Sequence, residues 1–228
     1  MRIGEYVVRT NVYEGKDYQI YLASKNISNE IVSLFVFTQK INPESPSLKI
    51  FGTFEFQNKF VVVTENVVMT LQQFISETID HPDRNTFIAM LFKDVLDQLP
   101  FDSFSPHNVF VQKSRSGFVR ARLGLKLKED PHFVAPEPET TVQSSIWSAG
   151  ICLYYMITER SPFNGAKDDE VEARIRNMQL NVIPPTTHRT FKLLLSQCLC
   201  GDPARRVPLG VLRQNVQLKQ MIPPREDW

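Results

Sequence analysis

Two kinds of apolar spacing divide the chain. Between residues 6 and 67, short runs rich in Val, Ile, Phe and Tyr alternate with Gly, Asn and Ser. Residues 6–8, 18–22, 31–37, 48–51 and 60–64 read as five strands. Residues 55–59 between the last two read as a hairpin turn. Beyond Val67 the period lengthens. Thr70 is placed to cap a helix starting at Leu71, with Phe74, Ile75 and Thr78 following at helical spacing. Asn85 is placed to cap a second helix over 86–99, where Phe87, Met90, Leu91, Val95 and Leu99 form a stripe that Pro100 stops. Residues 146–157 are apolar on nearly every face, the pattern of a helix buried at a domain centre. Two more helices are predicted over 191–200 and 207–221. The expected fold is α+β: a five-stranded small lobe over 1–66, then a helical large lobe over 67–228, with a ligand cleft expected between them.

Composition narrows the function classes. The 228 residues carry 26 Lys and Arg against 25 Asp and Glu, a formal net charge of +1. That balance argues against a nucleic-acid or membrane-surface binder, either of which draws on a net basic field. With 42% hydrophobic and 22% charged residues the chain reads as an ordinary globular protein. Cys152, Cys198 and Cys200 give no disulfide framework and suit a reducing compartment. The Cys198-Leu199-Cys200 pair has no second Cys/His pair nearby, so these thiols are expected in the core rather than on a metal. MRIGEYVVRT has no apolar stretch of signal-peptide type, and the apolar run 151–157 is too short to span a membrane. The expected location is cytoplasmic.

Five segments, in order, resemble the protein kinase fold. Phe60 to Val67 (FVVVTENV) looks like the last small-lobe strand and hinge, and Ala135-Pro136-Glu137 looks like the A-P-E that closes an activation segment. The run from Ser144 to Gly150 (SSIWSAG) resembles the start of the central buried helix, and Ser161-Pro162-Phe163 the P-P-F after it. CLCGDPARR, from Cys198 to Arg206, resembles the C-L-x-x-D-P-x-x-R near a kinase C-terminus. The resemblance implies a buried ion pair between Glu137 and Arg206, with Trp147 packed as a large apolar surface.

Set against the same resemblance, the positions that carry phosphoryl transfer are changed. That chemistry uses a glycine-rich cover, a lysine on the phosphates, carboxylates on magnesium and an aspartate base. The glycine-rich turn reads Tyr13, Gly15 and Tyr18, and an ordinary hairpin turn explains it. Phe35 stands at the lysine position, in Val32-Ser33-Leu34-Phe35. The catalytic loop reads FDSFSPHN, from Phe101 to Asn108, with Ser103 at the base and Ser105 at the loop lysine. Serine has no useful proton affinity at neutral pH. Asp102 sits one residue early to replace it. Asn108 remains at the second-metal position, though a turn explains an asparagine there without a metal. The metal-binding D-F-G looks like Arg122-Leu123-Gly124, which puts a cation where a carboxylate should hold a dication, and Ser145 replaces the aspartate that opens the central helix. The resemblance therefore implies a pseudokinase, with no cofactor and no metal.

Ile20, Ser33, Thr64 and Phe110 fall where the nucleotide pocket would be, and Phe35 and Phe110 are expected to fill it and join the lobes. Phe101 and Leu123 fall in the apolar column between lobes. Arg120, Arg122, Lys126 and Lys128 read either as a solvated loop or as a patch for a phosphorylated or acidic partner. Only ten residues separate Phe37 from Leu48, among them Pro43 and Pro46, too few for the regulatory helix C. A groove with an uncovered sheet face is expected there, open to a protein partner. EIVSLFVFTQK and VVVTENV are similar to SCY-like pseudokinases, and the large lobe to Tribbles proteins or serine/threonine kinases. The implied role is a non-catalytic scaffold, with allosteric activation of a true kinase, or residual phosphotransfer on nucleotide, as the alternatives.

Overall fold

The chain opens on β1 (Arg2–Ile3), β2 (Tyr6–Glu14), β3 (Tyr18–Lys25), β4 (Ile31–Phe37), β5 (Ile50–Phe56) and β6 (Lys59–Thr64). The computed structural model describes all residues except 16, 27, 68, 102–103, 115–116, 127–132, 166 and 225–228. These six strands form one antiparallel sheet in the order β1-β2-β3-β4-β6-β5. The expectation of five strands is corrected by β1, two residues too short to leave a periodic signal, which pairs Ile3 with Tyr6.

Both faces of the central strands are covered, which is why β4 reads as a continuous apolar run. On one face Val32, Leu34 and Val36 cluster with Val61, Val63, Ala23, Ile3 and Tyr6. The sheet curls enough for Tyr6, near one edge, to stack on Phe54 of the opposite edge strand with ring centroids 5.9 Å apart. On the other face Phe35, Phe37, Phe60 and Val62 point toward the rest of the chain. Gln57 and Asn58 turn the β5–β6 hairpin in the left-handed region, at φ 49° and 61°. A two-residue hairpin of this hand matches the sheet's twist.

The helical half begins with β7 (Met69–Thr70), α1 (Leu71–Glu77) and α2 (Arg84–Asp97), followed by β8 (Val109–Lys113) and β9 (Val119–Leu123). β7, β8 and β9 form a second, three-stranded sheet that the apolar pattern does not announce. After it come α3 (Val142–Thr158), α4 (Asp168–Arg176), α5 (Arg189–Cys198), α6 (Leu209–Arg213) and α7 (Val216–Gln220). Thr70 caps α1 in a capping box with Gln73. The expected cap of α2 moves: the helix starts at Arg84 behind Asp83, so Asn85 lies inside it. Residues 207–221 split into two helices because Asn215 leaves the helix to cap α7, its Oδ1 accepting from Leu218 N at 2.8 Å.

α3 is capped by Thr141 and buries every residue from Ser145 to Met156. It is the axle of the larger core, packed by α2 and α5. α4 escapes the sequence reading because acidic residues in its first turn and arginines in its last surround only Val171 and Ile175 as buried contacts. Those charges suit the helix dipole at each end. Cys152 and Cys198 are buried in this core, Cys200 is half-buried, and all three thiols are free. Burial pushes the Cys198 thiol up to about 12, partly opposed by Arg206. Among the described residues no helix is long and apolar enough to cross a membrane.

A non-glycine residue held at positive φ carries backbone strain of about 1–2 kcal/mol, part of which glycine relieves. Gln57→Gly is therefore expected to raise the urea midpoint by the equivalent of about 0.5–1 kcal/mol. An unchanged or lower midpoint would count against a strained turn.

Candidate functional site: an aromatic seam and the cleft beside it

Phe35 reaches the site from β4 and Phe110 from β8. Their rings meet edge to face, with centroids 5.6 Å apart. Phe35 is 1% exposed and Phe110 is fully buried. Around them lie Val12, Tyr18, Ile20, Val62, Val67, Leu48 and Leu125, so one apolar cluster spans the six-stranded sheet and the start of the helical half. Gly124 is demanded by this packing. A Cβ there would sit 2.6 Å from the Phe110 ring and 2.7 Å from the carbonyl oxygen of Asn108.

Polar groups in the seam are paired within the chain. Ser33 Oγ accepts from Val67 N at 2.9 Å and donates to Val67 O at 3.2 Å. Thr64 Oγ1 donates to Glu65 O at 2.9 Å. Ile20, Ser33 and Thr64 are all fully buried. Asn108 Oδ1 accepts from Ser105 N at 3.0 Å, its Nδ2 donates to Leu125 O at 3.1 Å, and its carbonyl accepts from Gly124 N at 2.7 Å. Both ends of its amide are thus engaged in holding the turn Pro106–Asn108. Ser145 Oγ donates to Thr141 O at 3.3 Å, inside the first turn of α3. Leu123 is fully buried and Phe101 packs partly buried against the larger core.

The segment between β4 and β5 covers part of the sheet face expected to be bare, and the expected groove is narrowed to the cleft beside it. Residues 38–49 cross to the helical half as a strap. Ser45 Oγ and Ser47 Oγ both donate to Leu123 O, at 3.0 and 3.1 Å, and Lys126 N donates to Glu44 O at 2.7 Å. Leu48 is buried in the seam, and Ile41 and Ile50 pack against it. Ile41 and Leu48, spaced along these twelve non-helical residues, cover part of that sheet face. Gln73 Nε2 closes a further contact onto Val12 O at 3.2 Å.

Beside the strap a cleft of about 580 Å³ stays open. Tyr13, Tyr18 and Phe37 line it from the sheet, and Thr38, Gln39 and Ile41 from the strap. Phe104, Ser105, His107, Asn108, Phe133 and Glu139 line it from the helical half. Tyr13 and Tyr18 meet tilted, with ring centroids 5.0 Å apart, where the glycine-rich turn was expected, and the Tyr13 ring lies over Gly15. Burial pushes the Tyr18 hydroxyl well above the usual phenol range.

The basic residues are placed differently from expectation. Arg120 and Arg122 project from β9 on the face opposite the buried Val119, Ala121 and Leu123. Arg122 Nε donates to Gln112 Oε1 at 3.1 Å, and Gln112 Nε2 reaches Asn66 O at 3.3 Å. Arg122 pairs with Phe110 in the ladder, and its guanidinium is engaged by the Gln112 side chain on β8. Lys126 lines the cleft, whereas Arg120 and Arg122 do not. Lys128, Ser103 and Asp102 lie outside the described residues. Among the described residues no three His, Cys, Asp or Glu side chains gather as a metal-binding group.

Away from the cleft, Arg206 and Glu137 form a two-pronged ion pair, with Nη2 2.7 Å from Oε2. The Arg206 side chain is fully buried and the Glu137 side chain 13% exposed. Arg206 also donates to Cys200 O and Gln143 O, each at 2.8 Å, and lies 5.0 Å above the Trp147 ring. Trp147 stacks on Phe163 at 5.6 Å.

Several of these partners have a faint sequence signal or none. Ser45-Pro46-Ser47 is visible only as a polar turn, Ser33 only as a polar interruption in a buried strand, and Leu125 as one apolar residue between charges.

Residues 126–216 match the family described as protein tyrosine and serine/threonine kinase. A probable serine/threonine-protein kinase of Dictyostelium discoideum is 29% identical over 93 residues, covering 37% of this chain and 11% of that protein. The probable serine/threonine-protein kinase PknB of Lactococcus lactis is 23% identical over 210 residues, covering 75% of this chain and 33% of that one. Tribbles homolog 2 of Canis lupus familiaris is 32% identical over 83 residues, covering 34% and 24% respectively. The chain thus matches a third or less of the length of these relatives. Together with the mixture of helices and sheets, these likenesses support a kinase-like domain.

Removing Glu137 strands a buried guanidinium. Glu137→Leu is expected to cost about 3–5 kcal/mol in chemical denaturation, and the double variant with Arg206→Met to recover most of it. A double variant as unstable as the single one would contradict this account.

Proposed function

We propose that the chain is a catalytically inactive kinase-like domain that works as a protein-interaction module. In this reading residues 1–66 form the small lobe and 67–228 the large lobe, within a reducing, cytoplasmic setting suited to its free thiols. The SCY-like likeness of the small lobe rests on EIVSLFVFTQK and VVVTENV.

The observation that carries the reading is the aromatic seam. Ile20, Ser33, Thr64 and Phe110, at the positions of a nucleotide pocket, are fully buried by the chain's own atoms, and Phe35 closes against Phe110. A nucleotide there would have to displace two packed rings, each contributing about 1.5–3 kcal/mol by burial. The Ser33 hydroxyl holds both backbone groups of Val67, so they are already satisfied. These residues do not fit a triphosphate with its magnesium. What remains for a partner is the cleft beside the strap, with Phe104 and Phe133 as apolar contacts and Asp17 and Glu139 exposed in its lining.

Thermal denaturation with ATP, with and without magnesium, is expected to leave the midpoint unchanged, and incubation with γ-labelled ATP to transfer no label. A clear rise in the midpoint, or labelled product, would overturn the inactive reading. Phe35→Ala is expected to cost about 3–5 kcal/mol, as truncation of a buried ring does. For the interaction role, a photo-crosslinking residue at Gln39 is expected to capture a protein in cells that one at Val211, also exposed and on α6, does not. Equal capture at both positions, or none at Gln39, would argue against the cleft.

A further inference from the structure

The strap carries the dipeptide Ser45-Pro46. Ser45 Oγ donates to Leu123 O at 3.0 Å while accepting from Leu48 N at 2.9 Å and Ser47 N at 3.3 Å. Ser45 is half-buried, and its neighbours Glu44 and Pro46 are exposed. Two other Ser-Pro pairs differ in setting. Ser105 caps the turn Pro106–Asn108, and Ser161 Oγ closes a turn onto Phe163 O at 3.0 Å. Ser45 is followed by an exposed proline, whereas Pro106 and Pro162 are buried, and it lies on the crossing between the two halves.

We propose that Ser45 is a phosphorylation site for a proline-directed protein kinase, and that the phosphoryl group releases the strap from Leu123. In that transfer the Ser45 oxygen forms a bond to the γ-phosphorus of a nucleoside triphosphate as the bond to the β,γ-bridging oxygen breaks. The nucleoside diphosphate leaves, and the hydroxyl proton passes to the modifying enzyme's base. The consequence follows from donor and acceptor chemistry. Leu123 O only accepts, and a phosphoserine of about −1.5 to −2 charge offers it only acceptors. One of the two hydrogen bonds on that carbonyl becomes a repulsion, and the neighbouring Glu44 carboxylate adds another. The released residues include Leu48, which packs in the seam with Phe35 and Phe110, so the modification acts on the contact between the halves. This inference does not rest on the domain being inactive.

The test is incubation of the 228-residue chain with magnesium, ATP and a proline-directed serine/threonine kinase, with sites mapped by mass spectrometry and amide exchange followed over 44–48. The expected result is phosphate on Ser45 and exchange accelerated roughly tenfold at Ser47 and Leu48, the scale of a lost buried hydrogen bond. Pro46→Ala keeps both hydroxyls and is expected to stay unmodified at Ser45, with unaccelerated exchange. Ser45→Ala removes the donor and is expected to accelerate exchange without any kinase. Phosphate confined to Ser105 or Ser161, phosphate on Ser45 with unchanged exchange, or unchanged exchange in Ser45→Ala would each overturn the proposal.

Discussion

Two phenyl rings from distant parts of the chain, buried edge to face, set how the six-stranded sheet meets the helices. Burial of both contributes about 3–6 kcal/mol, and the aromatic pair about 0.5–1.5 more. The polar contacts across the same boundary, from Ser45, Ser47 and Gln73, contribute about 0.5–1.5 kcal/mol each. The rings therefore supply the larger share of the attraction, and the hydrogen bonds fix its register. A lysine at Phe35 would need carboxylates or phosphates to pair with. A ring needs only neighbours of the right shape, and Tyr18, Phe110 and Leu48 provide them.

The helical half solves the opposite problem, a charge in its core. Arg206 is buried, yet its guanidinium meets a carboxylate, two backbone carbonyls and the face of Trp147. That set satisfies the donors that desolvation would otherwise leave stranded. It ties the segment before α3 to the turn after α5. The family match begins at residue 126 and runs to 216, so it coincides with this tied region. The sheet half lies before it, where Phe35 and the strap give the chain a different way of joining its parts.

How much the sequence disclosed depended on the range of each interaction. Thr70 and the hairpin at Gln57-Asn58 were legible because their partners lie within a few residues. The all-round apolar run of α3 announced a buried helix without reference to anything else. α4 was not legible, since its charges outnumber its two buried contacts, and neither was β9, whose register with β8 turns Arg122 toward Gln112.

The sequence by itself determined which residues are apolar and where helices and strands change period, and its resemblance to kinases set the expectation that Phe35 and Arg122 replace a lysine and a carboxylate. Only the tertiary structure decided that Phe35 meets Phe110, that Ser33 closes on Val67, and that residues 38–49 cover part of the sheet face. The physical reason is that hydrophobic periodicity records a residue's wish to leave water, whereas a buried contact or hydrogen bond also requires a partner. That partner is brought near only when strands and helices far apart in the chain have packed.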